Sequence, residues 1–168
     1  TADVTQTVTN TSPTPTPFNY NTIAYQATTN GKTANATYTR ATGITSAMSP
    51  VGRTSSITTN TLGKITNAKF ANFKPVQYNY DSHGRLQYIT QNTRQFQLLY
   101  NASGDISGVK NPLNQTTSFT YDLAGQVQSV ILPDLRTISY TYDANGNVAS
   151  ITPAGSAAHA FTFNPFDL

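Results

Sequence analysis

Large apolar side chains recur along the second half of this chain in fixed columns, with a period of about 21 residues, in the range of short repeat units. Tyr80, Tyr100, Tyr121 and Tyr142 mark that period almost without drift, and Phe163 stands one period further on. Two residues before each stands a second large apolar residue: Tyr78, Leu98, Phe119, Tyr140 and Phe161. Four residues after each Tyr comes a glycine, at Gly84, Gly104, Gly125 and Gly146. Two and five residues past the glycines lie Leu86 and Ile89, Ile106 and Val109, Val127 and Val130, and Val148 and Ile151. Polar and apolar residues alternate through Ser118-Phe119-Thr120-Tyr121, which predicts a strand with one buried face.

The residues between the columns predict how each strand ends. Asp81, Asn101, Asp122 and Asp143 follow the tyrosines. Asp or Asn suits the first position of a type I turn, where its side-chain oxygen accepts a following backbone N–H, and Gly suits the fourth. An amide oxygen makes the same bond as a carboxylate, so this column needs no titrating group. A second turn closes each unit at Pro50, Pro112, Pro133 and Pro153, with Gly52, Asn114 or Gly155 two residues on to tolerate positive φ. Leu135 breaks that pattern and predicts a different turn there. Two strands of about six residues and two turns account for the period, and each unit reads as an antiparallel hairpin.

Other repeat architectures have similar periods. Leucine-rich repeats are excluded by the aromatic and β-branched columns. A parallel β-helix has rungs of similar length but does not require a tight Asp-x-x-Gly reversal. A propeller with two hairpins per blade would show a super-period of two units, which is not seen. The expected fold is therefore all-β, built of tandem antiparallel hairpins.

The series continues upstream in weaker form. Gly63 stands one period before Gly84, Ile57 and Ile65 fall in the apolar columns, and Thr59-Asn60 replaces Tyr-Asp. Gly43 lies close to one period earlier still, near Tyr38. Three segments follow: a Thr/Pro-rich extended arm or linker over 1–17, degenerate repeats over 18–77, and well-formed repeats over 78–168, the last incomplete.

Composition agrees and narrows the function. All seven acids are Asp, charged residues are only 10% of the chain, and Thr, Asn, Ser, Gln and Tyr fill the polar positions. Those residues suit pleated surfaces and turns rather than helices. The net charge of +3 comes without any basic cluster, so nucleic-acid binding is not expected. There is no Cys, which excludes disulfides and thiol chemistry. No apolar run approaches the ~18 residues of a spanning helix, so membrane insertion by a helix is not expected. Residues 1–17 lack the basic start and apolar stretch of a signal peptide.

Candidate chemistry is sparse. Asp143-Ala-Asn-Gly-Asn147 lacks the acidic ladder and terminal Glu of a calcium loop, and neither His83 nor His159 has a companion ligand nearby. No metal, cofactor or catalytic residue is expected, and the chain is not expected to be an enzyme. The notable feature is the Tyr column. Its bland reading is cross-strand packing, worth roughly 0.2–1 kcal/mol per pair. Its functional reading is an aromatic ladder on which Tyr121 and Tyr142 stack a sugar.

Tyr80-Asp-Ser-His-Gly-Arg-Leu86, Tyr121-Asp-Leu-Ala-Gly-Gln-Val127 and Tyr142-Asp-Ala-Asn-Gly-Asn-Val148 resemble the RHS/YD-repeat family, as does the tail from Ile151 to Leu168. That family includes bacterial polymorphic toxins, the C components of ABC toxin complexes and the teneurins. The resemblance covers roughly residues 20–168. It implies a curved, spiralling strip of antiparallel sheet that forms part of a hollow shell, enclosing a toxin in the bacterial members. The repeat residues would be Tyr80, Asp81 and Gly84; Tyr100, Asn101 and Gly104; Tyr121, Asp122 and Gly125; and Tyr142, Asp143 and Gly146. Members usually carry more repeats, an autoproteolytic core region and a variable toxin. This chain shows neither core nor toxin, which suggests a fragment, a short copy, or an array that pairs with other chains. Expected partners are the rest of a longer shell, an encapsulated toxin, or copies of the chain joined through open sheet edges. A glycan is the alternative partner, because the family has been linked to carbohydrate binding. The expected location is secreted or at the cell surface.

Overall fold

Strand and turn alternate in strict chain order in a computed structural model, which describes residues 9–10 and 20–163. Every regular element among them is a β-strand. The chain divides into two compact units, Thr1–Arg94 and Gln95–Leu168.

The first unit contains β1 (Thr9–Asn10), β2 (Thr22–Thr29), β3 (Lys32–Thr39), β4 (Ile44–Met48), β5 (Thr54–Thr59), β6 (Ile65–Phe70), β7 (Val76–Tyr80) and β8 (Leu86–Gln91). Each pairs antiparallel with the next. The second contains all but the first residue of β9 (Arg94–Tyr100), then β10 (Ile106–Lys110), β11 (Thr116–Tyr121), β12 (Val127–Ile131), β13 (Thr137–Tyr142), β14 (Val148–Thr152) and β15 (His159–Ala160), again paired in order. These are tandem antiparallel hairpins, as the columns require. Most of the proposed arm over 1–17 and the last residues of the tail lie outside the described residues. Thr9–Asn10, within that arm, pairs with Ile23 and Ala24 of β2.

Turn chemistry explains the regular reversal. In the Tyr-Asp turns the Gly84 N–H donates to the Asp81 carbonyl at 2.9 Å, and the Asp81 N–H donates to the Arg85 carbonyl at 2.8 Å. The same pair of bonds closes the turns that begin at Asn60, Asn101, Asp122 and Asp143. This is a type I turn followed by a left-handed residue, the usual three-residue hairpin connection. Gly84, Gly104, Gly125 and Gly146 fill that left-handed position with φ of 75, 97, 80 and 86°.

The Pro turns at Ser49, Asn111 and Leu132 have the same geometry, with Pro at the second position. Here the structure corrects two expectations. Leu135 does not mark a different turn: its φ is 67°, close to the 62° of Asn114, and its N–H donates to Leu132 at 2.9 Å. The hairpin register forces the left-handed conformation on it without glycine's help. The turn that differs is the one at Pro153, where Ser156 donates to the Pro153 carbonyl and Gly155 takes the third position. A further hairpin connection, Asn30-Gly31, has φ of 51 and 71°, the two-residue turn for which Asn-Gly is preferred.

A bulge accompanies each Tyr. Thr120 faces Ser129 and Tyr121 faces Val127, so Gln128 is an extra residue on the second strand. The same shift occurs between Asn79/Tyr80, Tyr100 and Leu99 against Ile106/Gly108, Thr141/Tyr142 and Thr58/Thr59. Residues three apart on a regular strand point to opposite faces. The bulge cancels that, so Val127 and Val130 face the same way, opposite Tyr121 and Phe119. In the second unit one face thereby collects Leu98, Val109, Phe119, Val130, Ile138, Tyr140 and Ile151. Most of the other face is hydroxyl. Thr120 and Ser129 bond at 2.7 Å, and Thr141 and Ser150 do so at 2.7 Å.

Among the described residues no hydrophobic side chain is fully buried. The apolar columns are half-covered by their neighbours in the sheet.

Leu135 is 83% exposed, so its side chain contributes little packing to offset a left-handed backbone. That conformation costs an ordinary residue about 1–2 kcal/mol, and least for Asn. Leu135→Asn is therefore expected to stabilise the chain by about 1 kcal/mol, read as a higher urea midpoint with an unchanged slope.

Candidate functional site

The repeat residues form two rows, a set of turn caps along one border of each unit and a set of tyrosines just inside it. The caps come first in the causal order, because they end the strands that carry the tyrosines.

Each Asp or Asn side chain closes its own turn. The Asp81 Oδ1 accepts from the His83 and Arg85 N–H groups at 2.9 and 2.8 Å. Asp122 Oδ1 accepts from Ala124 and Gln126, and Asp143 Oδ1 from Asn145 and Asn147, all at 2.9 Å. Asn101 accepts from the Asp105 N–H at 2.9 Å with its amide oxygen. The remaining side-chain atom often ties down the residue four places on. Asp81 Oδ2 pairs with the Arg85 guanidinium at 2.8 Å, and Asp143 Oδ2 accepts from Asn147 Nδ2 at 3.2 Å. Asn111 and Asn60 cap in the same way, although neither stands beside a Tyr. Their signal was legible: Asn111 lies about half a period after Asn101.

These bonds set the charge of the caps. At Asp81, desolvation opposes ionisation, but the Arg85 and His83 N–H groups and the Arg85 guanidinium hold the carboxyl below its ordinary value. At Asp143 the Asn147 N–H leads in lowering it, against some desolvation. Both are thus anionic acceptors at neutral pH, committed to their own backbone.

The tyrosines end β7, β9, β11 and β13 and face Leu86, Ile106, Val127 and Val148 across the bulge. Three of their hydroxyls reach away from that partner, to the hairpin before. Tyr80 Oη donates to the Ile65 carbonyl at 2.8 Å, Tyr121 to Ile106 at 2.7 Å and Tyr142 to Val127 at 2.8 Å. In each case the acceptor is the first residue of the preceding hairpin's second strand. The pairing between hairpins runs out short of it: β6 and β7 share only Asn67↔Gln77 and Ala68↔Val76, and β12 meets β13 only as far as Ser129↔Ser139. The phenol supplies the hydrogen bond that the backbone ladder no longer makes. Tyr is a clasp across the seam between hairpins.

Sequence reasoning did not anticipate this bond, since its ends lie 15 residues apart. Nor did it anticipate the row of long polar side chains beside it. Lys64 Nζ reaches the Gly84 carbonyl and lies 5.3 Å from the Tyr80 ring centre, a cation–π distance. Gln126 Nε2 makes the corresponding bond to Gly146 at 3.1 Å. Among the described residues no group of three His, Asp or Glu could hold a metal.

Periodic capped turns, Tyr clasps at the seams and sheet pairing in strict chain order make a distinctive combination. The model of the teneurin YD-shell family matches residues 21–167. The chain belongs to that family. YD-shell membership accounts for nearly the whole sequence, and it makes the chain a repeat-built shell segment at the level of fold. Among solved structures, a Photorhabdus luminescens Tc holotoxin pore contains a similar fold, with a TM-score of 0.59 at 13% identity. The match covers 80% of this chain and 8% of that one, so this chain spans a small part of that protein's length. Comparison with curated protein sequences finds no significant match.

Two outcomes test this geometry. Tyr121→Phe keeps the ring and deletes the clasp, and it is expected to cost about 0.5–1.5 kcal/mol in chemical denaturation. Acid provides the second. Because the Asp81 and Asp143 carboxyls are held below their ordinary value in the fold, their caps contribute fully above that value. The contribution is lost as pH falls through the lowered folded-state values. The melting temperature should therefore drop on the acid side of pH ~4, and less steeply in Asp143→Asn, which keeps the acceptor without the charge.

Proposed function

We propose that this chain is a non-catalytic wall segment of an RHS/YD-type shell, whose strip curves and spirals with further repeats to enclose a space. The observation that carries the reading is the serial sheet. Its hairpins are closed by turn caps and clasped one to the next by tyrosines, so the repeat residues themselves serve to build that sheet. Membership of the YD-shell family supports it, and so does the fold shared with part of a Tc holotoxin pore.

The roles follow from the geometry. Asp81, Asn101, Asp122 and Asp143 turn the chain, and Gly84, Gly104, Gly125 and Gly146 allow the left-handed step. Tyr80, Tyr121 and Tyr142 hold successive hairpins together, and Tyr100 occupies the same column. The partners of such a wall are the rest of a longer shell, an enclosed toxin, or further copies joined at open sheet edges. A secreted or cell-surface setting suits it. The glycan alternative is not favoured, because the family and fold matches support a shell, and the Tyr121 and Tyr142 hydroxyls hold the sheet together rather than being free to bond a sugar.

The decisive experiment is cryo-electron microscopy of the protein expressed with its flanking coding sequence. The expected result is a wall one sheet thick around a lumen, with hairpins continuing on from this segment. A solid domain without a lumen would overturn the reading. A glycan array gives an independent check: no hit is expected, and a hit abolished by Tyr121→Ala at retained stability would restore the glycan alternative.

A further inference from the structure

One row across the apolar face of the first unit is unlike the rest. The register aligns Tyr25, Ala36, Ala47, Ser55 and Phe70 side by side across β2 to β6. Two aromatics thus flank three small residues. At strand spacings of about 4.8 Å the two rings stand roughly 19 Å apart. Between them lies an open trough of about 550 Å³, floored by Ala36 and Ala47. Phe70 is 58% exposed and Tyr25 41%, so the ridges project rather than fold into the trough.

We propose that this face docks against the same face of a second copy of the chain. The pattern is self-complementary, as a two-fold interface requires. A two-fold axis running along the strands over Ser55 exchanges the Ala47 and Phe70 positions. Each Phe70 ring then enters the other copy's trough above Ala47, and Ser55 faces its own symmetry mate. Large against small across facing sheets is how two layers interdigitate at about 10 Å.

The area is sufficient for a weak dimer. Seven strands about 4.8 Å apart, each with about 17 Å of face, cover roughly 500 Å² per copy. The pair then buries about 1,000 Å², the lower limit of a specific interface, which suits a micromolar association. The inference does not depend on the wall reading, since a wall has two faces and either can meet another copy.

The absence of cysteine makes the test direct. Sedimentation of the 168-residue chain should show a monomer–dimer equilibrium in the micromolar range. Ala47→Trp, which fills the trough, and Phe70→Ser, which removes the ridge, should each weaken it at least tenfold. Ser55→Cys should be cross-linked to dimer by a short bismaleimide, whereas Ser56→Cys, on the opposite face, should not. The cysteine pair decides the matter even if Ala47→Trp fails to fold. A chain that stays monomeric at 100-fold the expected range would overturn the proposal. So would dimers that form without Ser55→Cys cross-linking, because that result assigns association to the sheet edges instead.

Discussion

The extra residue opposite each Tyr is the constraint on which the rest of this structure depends. Without the bulge, the apolar residues two and five places after each glycine would fall on opposite faces, and neither face would be continuous. With it, Val127 and Val130 share a face with Phe119 and Tyr121, and the columns merge into one apolar surface. Val127, which faces Tyr121 across that bulge, lies beyond the last rung between β12 and β13, and its carbonyl is taken by the hydroxyl of Tyr142. Packing on one side of β12 and the clasp on the other thus meet at the same residue.

A sheet made this way is held together laterally. Its stabilising contacts are backbone ladders, turn caps, clasps and cross-strand pairs, each within one hairpin or between hairpins adjacent in the chain. Among the described residues no hydrophobic side chain is fully buried, so the second layer that normally completes a β domain is not supplied by them. That property fits a family whose members build walls. It also gives the apolar face a reason to meet another surface, while the hydroxyl face satisfies much of its bonding internally.

Much of the fold was legible because its signals are local. Asp122 and Gly125 stand at fixed places in a four-residue turn, and their chemistry acts over those same residues. Alternation in Ser118–Tyr121 declares a strand over an equally short span. The same locality misled at Leu135, whose side chain argues against positive φ while the hairpin register on both sides imposes it. It also obscured the kinship of the two turn types, since Pro112 and Asp122 look unlike one another although the turn at Asn111 and the turn at Asp122 share one geometry.

By itself, then, the sequence determined the period, the places where the chain reverses and the residues that reverse it, because each depends on interactions within a few positions. Only the tertiary structure decided which face each apolar residue occupies, what the Tyr hydroxyls hold, and where the small-residue row forms its trough. Those outcomes depend on register between strands: one shifted pairing re-aims every side chain beyond it, and a clasp joins residues 15 apart. Period is a property of the chain, and register is a property of the sheet.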